Sequence, residues 1–257
     1  MNDTIHEIAE SLQRAIAQHE SVVIAFSGGV DSAVVVAAAF RSLGDRAVAI
    51  TGIGDAVAHS ELTIARDVAK SIGIRHVEVS TREIDDANYV RNDARRCFYC
   101  KSNLYQSLRG WADANGFAAI MSGTNLDDLS DYRPGLQAAT EHRVIAPLAE
   151  LKIDKSLVRE LARFFGLSIA EKPAAPCLAS RIAYGQSVTP ERLRSIEIAE
   201  SFLVGLGFED VRVRLHEGGL VRIELGVADL VRACDHDIRS QINARMKSLG
   251  FQYVTLD

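Results

Sequence analysis

The sequence predicts an α/β protein with a doubly wound parallel sheet and a small C-terminal α+β domain. In the first two-thirds of the chain, short apolar segments alternate with helical patterns, which is typical of parallel sheets whose strands are connected by helices. A glycine-rich turn joins the first apolar segment to an Ala/Val-rich helical segment. From Val188 onward the pattern changes. We therefore expect one domain over residues 1–186 and a second over residues 187–257.

Five strands and the helices between them are predicted for the first domain. The strands are Val22–Ala25, Ala47–Thr51, His76–Val79, Ala119–Ser122 and Val144–Pro147. The helices are approximately Ser32–Leu43, Ser60–Ile72, Lys101–Asn115 and Lys155–Phe165. Ligands of such sheets bind beyond the carboxyl ends of the strands, so residues that follow a strand are the first candidates for a site.

The second domain is predicted to begin after a proline-rich segment, 172–177, and the turn at Tyr184-Gly185. Thr189 is a suitable N-cap for its first helix, and Pro190 suits the first helical position. The predicted elements are the helix Pro190–Leu206, the strands Val211–Leu215 and Leu220–Leu225, the helix His236–Leu249 and the strand Phe251–Thr255.

Composition and charge argue against several classes of protein. With 47% apolar and 25% charged residues, the chain is typical of globular proteins rather than of disordered ones. Its formal net charge of -5 argues against a general nucleic-acid binder. The sequence contains neither an apolar run of about 18 residues nor an N-terminal signal-like segment. We therefore expect a cytoplasmic protein without a membrane partner.

The turn after the first predicted strand has the features of an anion-binding loop. Its residues are Ser27, Gly28, Gly29, Val30, Asp31 and Ser32. Backbone N–H groups at the start of a helix attract phosphate, glycines let the backbone approach it closely, and the serines add hydroxyl donors. The loop is not a Walker A loop, because the pattern G-x-x-x-x-G-K-[ST] is absent. The alternative is an ordinary glycine turn between a strand and a helix.

This loop resembles the SGGxDS pyrophosphate loop of the PP-loop (N-type) ATP pyrophosphatases. Those enzymes have an adenine nucleotide alpha hydrolase-like fold and split ATP into AMP and pyrophosphate to activate a carbonyl or carboxyl group. The resemblance implies that residues 27–32 bind the pyrophosphate part of ATP. It also implies that Asp31 contacts the pyrophosphate or a metal ion.

The segment Gly123-Thr124-Asn125 follows the fourth predicted strand and resembles the GTN-x-(D/E) segment of PP-loop enzymes. Its position after a strand places it at the same edge of the sheet as the pyrophosphate loop. The resemblance implies that Asp127 and Asp128 face the same crevice and hold Mg²⁺ or substrate. The alternative is a polar Asx turn that opens the next helix.

Four cysteines in a chain of this kind indicate metal-binding, redox or catalytic thiols before disulfides. Cys97 and Cys100 are separated by two residues, a spacing that lets both thiols bind one metal centre. Basic neighbours favour their thiolate forms. Cys177 follows the last helix of the first domain, so the three thiols could converge. Three cysteines without a fourth suit a [4Fe-4S] cluster with one open iron, whereas structural zinc usually has four ligands. Zinc or an inert core pair is the alternative, and Cys234 is expected to be a small buried residue.

A basic face is predicted on the small sheet of the second domain. Arg212 and Arg214 alternate with apolar residues in one strand, so both side chains point to the same side. Adjacent guanidinium groups repel unless an anion lies between them, and a phosphate monoester is a suitable one. Glu200 is expected at the edge of the core on the preceding helix. The alternatives are a solvated face for the arginines and an ion pair with an arginine for Glu200.

A more specific resemblance rests on Pro176-Cys177-Leu178-Ala179-Ser180-Arg181-Ile182, on Arg96-Cys97-Phe98-Tyr99-Cys100-Lys101 and on the SGGVDS loop. The whole chain resembles the LarE family of ATP-dependent sulfur transferases. Those enzymes activate pyridinium-3,5-biscarboxylic acid mononucleotide with ATP and convert its carboxylates to thiocarboxylates for the nickel-pincer nucleotide cofactor of lactate racemase. One branch sacrifices the sulfur of the cysteine equivalent to Cys177. Another branch has three cysteines and a [4Fe-4S] cluster, and the cysteines of this chain imply that branch.

The resemblance implies roles for individual residues. ATP first converts the carboxylate into an acyl adenylate, and pyrophosphate leaves from the loop while Mg²⁺ offsets its charge. Sulfur then attacks, delivered by the Cys177 thiolate or by hydrosulfide on the open iron. Ser180 and Arg181 would steady the acyl adenylate or the substrate phosphate. The implied phosphate or metal site of the second domain comprises Arg212, Arg214 and Glu200.

The resemblance also implies partners, and other functions stay open. The partners are sulfide or another sulfur donor and further copies of the chain, in a trimer or a hexamer. A sacrificial Cys177 would need no cluster. An amide-forming PP-loop enzyme usually has a glutamine-hydrolysing partner, and a tRNA-thiolating one usually has a basic extension, whereas this chain is acidic. A regulatory module that holds ATP without turnover would release no pyrophosphate.

Overall fold

A computed structural model describes residues 2–130 and 134–257 of the chain. The chain forms two compact units. The first unit comprises the residues up to 83 and residues 95–175, and the second comprises residues 84–94 and 176–257. Each unit contains its own sheet, with four strands in the first and three in the second.

Strands and helices are numbered here along the chain. The strands are β1 (Val22–Ala25), β2 (Ala47–Ile53), β3 (Arg75–Ser80), β4 (Ala119–Met121), β5 (Arg212–Leu215), β6 (Leu220–Glu224) and β7 (Tyr253–Leu256). The helices are α1 (Asn2–Ala17), α2 (Val30–Leu43), α3 (His59–Ile72), α4 (Ala87–Val90), α5 (Arg96–Asn115), α6 (Pro134–Glu141), α7 (Pro147–Glu150), α8 (Lys155–Phe164), α9 (Pro190–Gly205), α10 (Val227–Ala233) and α11 (His236–Ser248). Within the described residues, none of these helices has the length and apolar composition that a membrane span requires.

The sheet of the first unit is parallel and has the strand order β3-β2-β1-β4. Val22 of β1 is opposite Ala47 of β2 on one side and Ala119 of β4 on the other. The chain therefore adds strands toward one edge and then returns to the opposite side of β1. The loops that follow β1 and β4 flank this reversal, where open α/β sheets bind their ligands. The predicted parallel α/β fold is confirmed.

Side chains alternate along the strands and so contribute to two separate cores. Val22 and Ile24 belong to a core that includes residues of α1, α2, α3 and α8. Val23 belongs to a second core with Leu108 of α5 and Ile120 of β4. Helices therefore cover both faces of the sheet, as a doubly wound fold requires.

The second unit has a three-stranded sheet with the order β5-β6-β7. β5 and β6 are antiparallel, and β6 and β7 are parallel. Apart from the partly exposed Leu220, the apolar residues of β5 and β6 are buried and their polar residues are partly exposed, so the sheet has one core face and one polar face. The side chain of Thr189 accepts the N–H of Arg192 and caps α9, with Pro190 at the first helical position.

Three features differ from the sequence predictions. Residues 144–147 do not form a fifth strand: Ile145 makes only an isolated bridge with Met121, because Arg143 has a φ of 53° and Pro147 begins α7. α5 begins at Arg96 rather than at Lys101 and so includes the cysteine pair. The unpredicted helices are α1, α4, α6, α7 and α10.

The compact units also differ from the residue ranges 1–186 and 187–257 that the sequence predicts as domains. Segment 84–94 belongs to the second unit because the buried side chain of Asn92 binds it to the segment 176–186. The Asn92 amide donates to the carbonyl groups of Ile182, Ala183 and Gln186. The division into two functional domains stays a prediction.

Candidate functional site

Hydrogen bonds connect the loop between β1 and α2 to the first turn of α2. Gly28 has a φ of 72°, and Gly29 is the N-cap of the helix. The Ser32 hydroxyl donates to the Gly29 carbonyl at 3.0 Å and accepts the Ser27 N–H at 3.3 Å. The Gly29 N–H donates to Ser27 Oγ at 3.3 Å. These last two bonds are long, so an anion at the helix N terminus can replace them.

Two glycines of this site are required by close backbone contacts. A Cβ atom on Gly28 would lie 3.0 Å from the backbone nitrogen of Ala65 in α3. A Cβ atom on Gly123, after β4, would lie 2.5 Å from the backbone nitrogen of Ser32. The loop after β4 therefore packs directly against the first turn of α2.

Asp31 lies in the first turn of α2 and binds two side chains from other parts of the first unit. Asn125 Nδ2 donates to Asp31 Oδ1 at 2.8 Å. Lys155 Nζ donates to Asp31 Oδ2 at 2.5 Å from the first position of α8. The structure thus brings two predicted site residues together and adds a lysine that the sequence analysis missed. Lys155 is 124 residues from Asp31, so no local motif could have revealed it.

Asp127 and Asp128 bind backbone groups. Asp128 Oδ2 accepts the Asn125 N–H at 3.1 Å, and Asn125 Oδ1 accepts the Asp128 N–H at 3.2 Å. Asp127 Oδ2 accepts the Lys155 N–H at 2.9 Å. These contacts match the turn that was the alternative for this segment. The magnesium role of the two carboxylates stays a prediction.

A second lysine reaches the loop from the end of the first unit. Lys172 Nζ donates to the Gly28 carbonyl at 3.3 Å. It also donates to Glu61 Oε2, in the first turn of α3, at 2.5 Å. The Lys172 side chain is only 14% exposed. No local motif indicates this contact either, because Lys172 lies 144 residues from Gly28.

The cysteines of the first unit lie at the start of α5. Cys97 is exposed and Cys100 is partly exposed, and a spacing of three residues places both on one face of the helix. Thiolates are the donors that iron–sulfur clusters and zinc prefer. Cys234 is exposed, so the expectation that it is buried is wrong. It is the C-cap residue of α10, so its side chain lies beyond the last turn of the helix and is not covered by it.

Cys177 is exposed immediately before a 3₁₀ turn over Leu178–Arg181, and a buried ion pair holds its loop. Arg181 donates to the carbonyl groups of Pro176 at 2.5 Å and Cys177 at 3.2 Å. It also makes a two-pronged bond to Glu200 at 3.0 and 3.3 Å. Glu200 Oε1 accepts the Val213 N–H at 2.9 Å. Arg181 and Glu200 therefore fasten the loop to α9 and β5.

The polar face of the small sheet contains three arginines. Arg214 and Arg222 both donate to Glu224 Oε1, and Arg222 also pairs with Asp257 at 3.4 Å. Arg212 lies opposite Glu224 in the strand register. Within the residues that the structure describes, the Arg212 guanidinium makes no ion pair. This face therefore has more guanidinium groups than carboxylate partners, which suits an anionic ligand.

Glu224 and Arg214 perturb each other's protonation. The hydrogen bond from Arg214 lowers the pKa of Glu224, although burial opposes the shift. The same bond raises the pKa of Arg214, and the charges of Glu200 and Asp257 add to the effect. Both members of the pair are therefore ionised at neutral pH.

The structure gathers the predicted residues into one set in each unit. The first set comprises Ser27, Gly28, Gly29, Val30, Asp31, Ser32, Gly123, Thr124, Asn125, Asp127 and Asp128, with Cys97 and Cys100 also in that unit. The second set comprises Cys177, Ser180, Arg181, Glu200, Arg212 and Arg214. Ser180 connects its members, since its Oγ accepts from Arg181 at 3.1 Å and its carbonyl from Arg214 at 3.2 Å. Among the described residues, no three or more His, Cys, Asp or Glu side chains form a group that could hold a metal ion.

Known proteins resemble the chain over nearly all of its length. Residues 5–97 match the asparagine synthase family. An uncharacterized protein of Synechocystis sp. is 42% identical, over 96% of this chain and 92% of that protein. The pyridinium-3,5-bisthiocarboxylic acid mononucleotide synthase of Lactiplantibacillus plantarum is 34% identical, over 96% of this chain and 89% of that enzyme. An uncharacterized protein of Methanocaldococcus jannaschii is 24% identical, over 93% of this chain and 90% of that protein.

Proposed function

The chain belongs to the LarE family, that of the pyridinium-3,5-bisthiocarboxylic acid mononucleotide synthases, and we propose on this premise that it is an ATP-dependent sulfurtransferase. The proposed substrate is pyridinium-3,5-biscarboxylic acid mononucleotide, whose carboxylates become thiocarboxylates. The observation that supports this most is the exposed Cys177. Arg181 and Glu200 hold its loop beside the basic face of the small sheet, and the same chain has a pyrophosphate loop.

Activation of the substrate is assigned to the first unit. Sulfur cannot displace oxide from a carboxylate at a useful rate, so the carboxylate oxygen first attacks the α-phosphorus of ATP and pyrophosphate leaves. The N–H groups at the start of α2 and the hydroxyls of Ser27 and Ser32 would bind the pyrophosphate. Lys155 adds a positive charge beside Asp31.

Magnesium is proposed to bind at Asp31. The carboxylate of Asp31 and the amide oxygen of Asn125 are hard donors of the kind that Mg²⁺ prefers, and the two side chains already touch. Bound Mg²⁺ would supply positive charge next to the leaving pyrophosphate. Because Lys155 occupies one oxygen of Asp31, the ion would have to compete with the ammonium group for that carboxylate.

Sulfur transfer is assigned to the second unit. We propose that sulfur meets the acyl adenylate at Cys177, where a carbon–sulfur bond forms and the bond to AMP breaks. Arg181 and Ser180 would hold this loop in position. Arg212 and Arg214 would bind the phosphate of the mononucleotide, since guanidinium groups form paired hydrogen bonds with phosphate oxygens.

A [4Fe-4S] cluster on Cys97, Cys100 and Cys177 is the proposed sulfur source, because it would supply a bound sulfide for repeated turnover. The donors fit such a group in kind: all three are thiols outside disulfides, and two share one face of a helix. Without a cluster, the Cys177 sulfur itself would be transferred and consumed. A trimer or a hexamer is the proposed assembly.

The test follows pyrophosphate release from ATP and Mg²⁺ in the presence of the biscarboxylate mononucleotide. The proposal predicts release that depends on this substrate. Nicotinamide mononucleotide is the matched control, because its carboxamide presents no carboxylate oxygen to ATP. Equal release with both compounds, or none with either, would contradict the proposed activation step.

A further inference from the structure

Lys172 lies at the pyrophosphate loop without belonging to its motif. The Walker A loop includes a lysine of its own, whereas this loop has none. Lys172 does not take that lysine's place, since its ammonium group binds a backbone carbonyl of the loop, that of Gly28. This contact controls the orientation of one peptide group.

The peptide between Gly28 and Gly29 is the part of the loop that can most easily turn over. Glycine adopts backbone angles of either sign at little cost, and two glycines in succession flank this peptide. In a planar trans peptide the C=O and N–H point in opposite directions. With the carbonyl of Gly28 directed at Lys172, the N–H of Gly29 faces Ser27 Oγ at the exposed side of the loop. A flipped peptide would instead present a carbonyl oxygen to an incoming anion.

Lys172 is itself held in place by other residues of the first unit. Glu61 accepts its ammonium group at 2.5 Å in a largely buried pair. Arg159 of α8 donates to the backbone carbonyl groups of Ala170 at 2.7 Å and Lys172 at 3.4 Å. The lysine therefore reaches the loop from a fixed backbone, and little side-chain entropy remains to be lost when the loop binds its ligand.

We infer that Lys172 is a positioning residue that fixes the Gly28–Gly29 peptide with its N–H toward the pyrophosphate. The inference deepens the proposed function and rests on its assignment of the loop to ATP. Glu61 neutralises the lysine and holds it against the carbonyl, so the pair contributes to binding through the orientation of the peptide. Because AMP has no β- or γ-phosphate, the effect is confined to ligands that contain pyrophosphate.

The experiment compares the binding of magnesium pyrophosphate and of AMP by calorimetry. Lys172→Met keeps the apolar stem and removes the charge, and we expect it to weaken pyrophosphate binding by about tenfold or more while AMP binding is unchanged. Lys172→Arg keeps a donor for the carbonyl and should restore most of the affinity. Arg163→Met is the matched control, because it removes an exposed ion pair with Glu171 in the same segment and should change neither affinity.

Each other outcome has a distinct meaning. Equal losses of pyrophosphate and AMP binding in Lys172→Met would indicate general damage to the unit and overturn the positioning role. Unchanged pyrophosphate binding in Lys172→Met would overturn it as well and leave the proposed function intact. An unaltered protein that binds neither ligand would overturn both the inference and the assignment of the loop to ATP.

Discussion

The Asp31 carboxylate forms an ion pair with a lysine and also belongs to a pair of oxygen donors that suits Mg²⁺. The Lys155 ammonium group lies 2.5 Å from one carboxylate oxygen, and the Asn125 amide binds the other. In the proposed reaction, magnesium would displace Lys155 from the carboxylate, and the lysine would then turn to the phosphates of ATP. At the scale of single residues, this exchange would connect the Lys155–Asp31 ion pair to the proposed chemistry.

The first prediction concerns this carboxylate. Asp31→Asn should weaken ATP binding in the presence of Mg²⁺ by about tenfold or more, because a charged partner of the ion is lost. Without Mg²⁺ the same variant should bind ATP no worse than the unaltered protein, since a negative charge near the phosphates is removed. Calorimetry with and without Mg²⁺ measures both effects. Asp127→Asn is the comparison, and a magnesium dependence that disappears in that variant instead would assign the ion to Asp127.

The second prediction concerns Arg181 and Glu200, which form a buried pair. Glu200→Gln should lower the free energy of unfolding by about 3 kcal/mol, because Arg181 would keep its buried charge without a counter-ion. Urea unfolding measures this loss. The double variant Arg181→Met with Glu200→Leu should lose less stability than Glu200→Gln alone. A double variant that is the least stable of the three proteins would refute this account of the pair.

At the scale of elements, the loop after β4 touches the first turn of α2 through Gly123. Gly123→Ala would place a Cβ atom 2.5 Å from the Ser32 nitrogen, so the loop or the helix must move. We expect a loss of stability of about 1–3 kcal/mol and weaker ATP binding. Gly110→Ala in α5 is the matched control, because nothing lies within 4 Å of its added Cβ. Thermal unfolding should show that this control is as stable as the unaltered protein or more so. Equal effects of both substitutions would argue against a tight contact.

The fourth prediction, also at this scale, is a pH dependence at β2 and β3. His76 bonds Thr51 at 2.8 Å, and burial lowers its pKa below the usual 6.5, although Glu78 opposes the shift and Arg66 adds to it. The unfolded chain therefore takes up a proton at His76 more readily than the folded one. The stability that neutral His76 contributes is complete above pH 6.5 and is lost as the pH falls below that value.

Chemical unfolding at a series of pH values measures this dependence. His76→Gln should reduce the loss of stability below pH 6.5, whereas His236→Gln, at an exposed position, should leave the loss as it is in the unaltered protein. An unchanged pH profile in His76→Gln would show that other groups cause the loss.

Sequence patterns predicted the elements whose signals are local. The strands and helices around the pyrophosphate loop follow from short apolar periods and from the glycines between them. The strand expected over 144–147 is wrong because a left-handed Arg143 and a helix-starting Pro147 override its apolar pattern. α1 was missed although Ile5, Leu12 and Ile16 repeat at helical spacing.

The contacts that complete the site could not be predicted in this way. Lys155 and Lys172 contact the loop from distant positions in the sequence. Their positions in the structure depend on the packing of α8 and α3. Arg181 was predicted as a site residue, but its buried bonds to the Cys177 loop depend on tertiary structure. A sequence motif identifies which residues a site contains, whereas packing decides which of them hold others in place.

At the scale of the whole molecule, the cysteines are divided between the two units. Cys97 and Cys100 belong to the first unit, and Cys177 belongs to the second. The proposed cluster has these three cysteines as its ligands. Activation of the substrate by ATP is assigned to the first unit, whereas sulfur delivery would also require Cys177 of the second.

The fifth prediction concerns this cluster. Protein reconstituted without oxygen should hold about four irons and four sulfides per chain, with the brown absorption of a [4Fe-4S] cluster. Cys97→Ala, Cys100→Ala and Cys177→Ala should each abolish it. Cys234→Ala is the control, since that exposed thiol lies outside the proposed ligand set. Stoichiometric zinc without labile sulfide, or a cluster that survives the loss of Cys177, would contradict the proposed ligands.

The most direct test of the account is a mass measurement on substrate and protein together. Protein reconstituted with iron and sulfide without oxygen is incubated with ATP, Mg²⁺, sulfide and the biscarboxylate mononucleotide, and AMP is quantified in the same sample. Sulfur transfer through the adenylate should replace one substrate oxygen by sulfur for each AMP formed and leave the mass of the polypeptide unchanged. A product without sulfur, despite stoichiometric AMP, would show that this enzyme does not transfer sulfur.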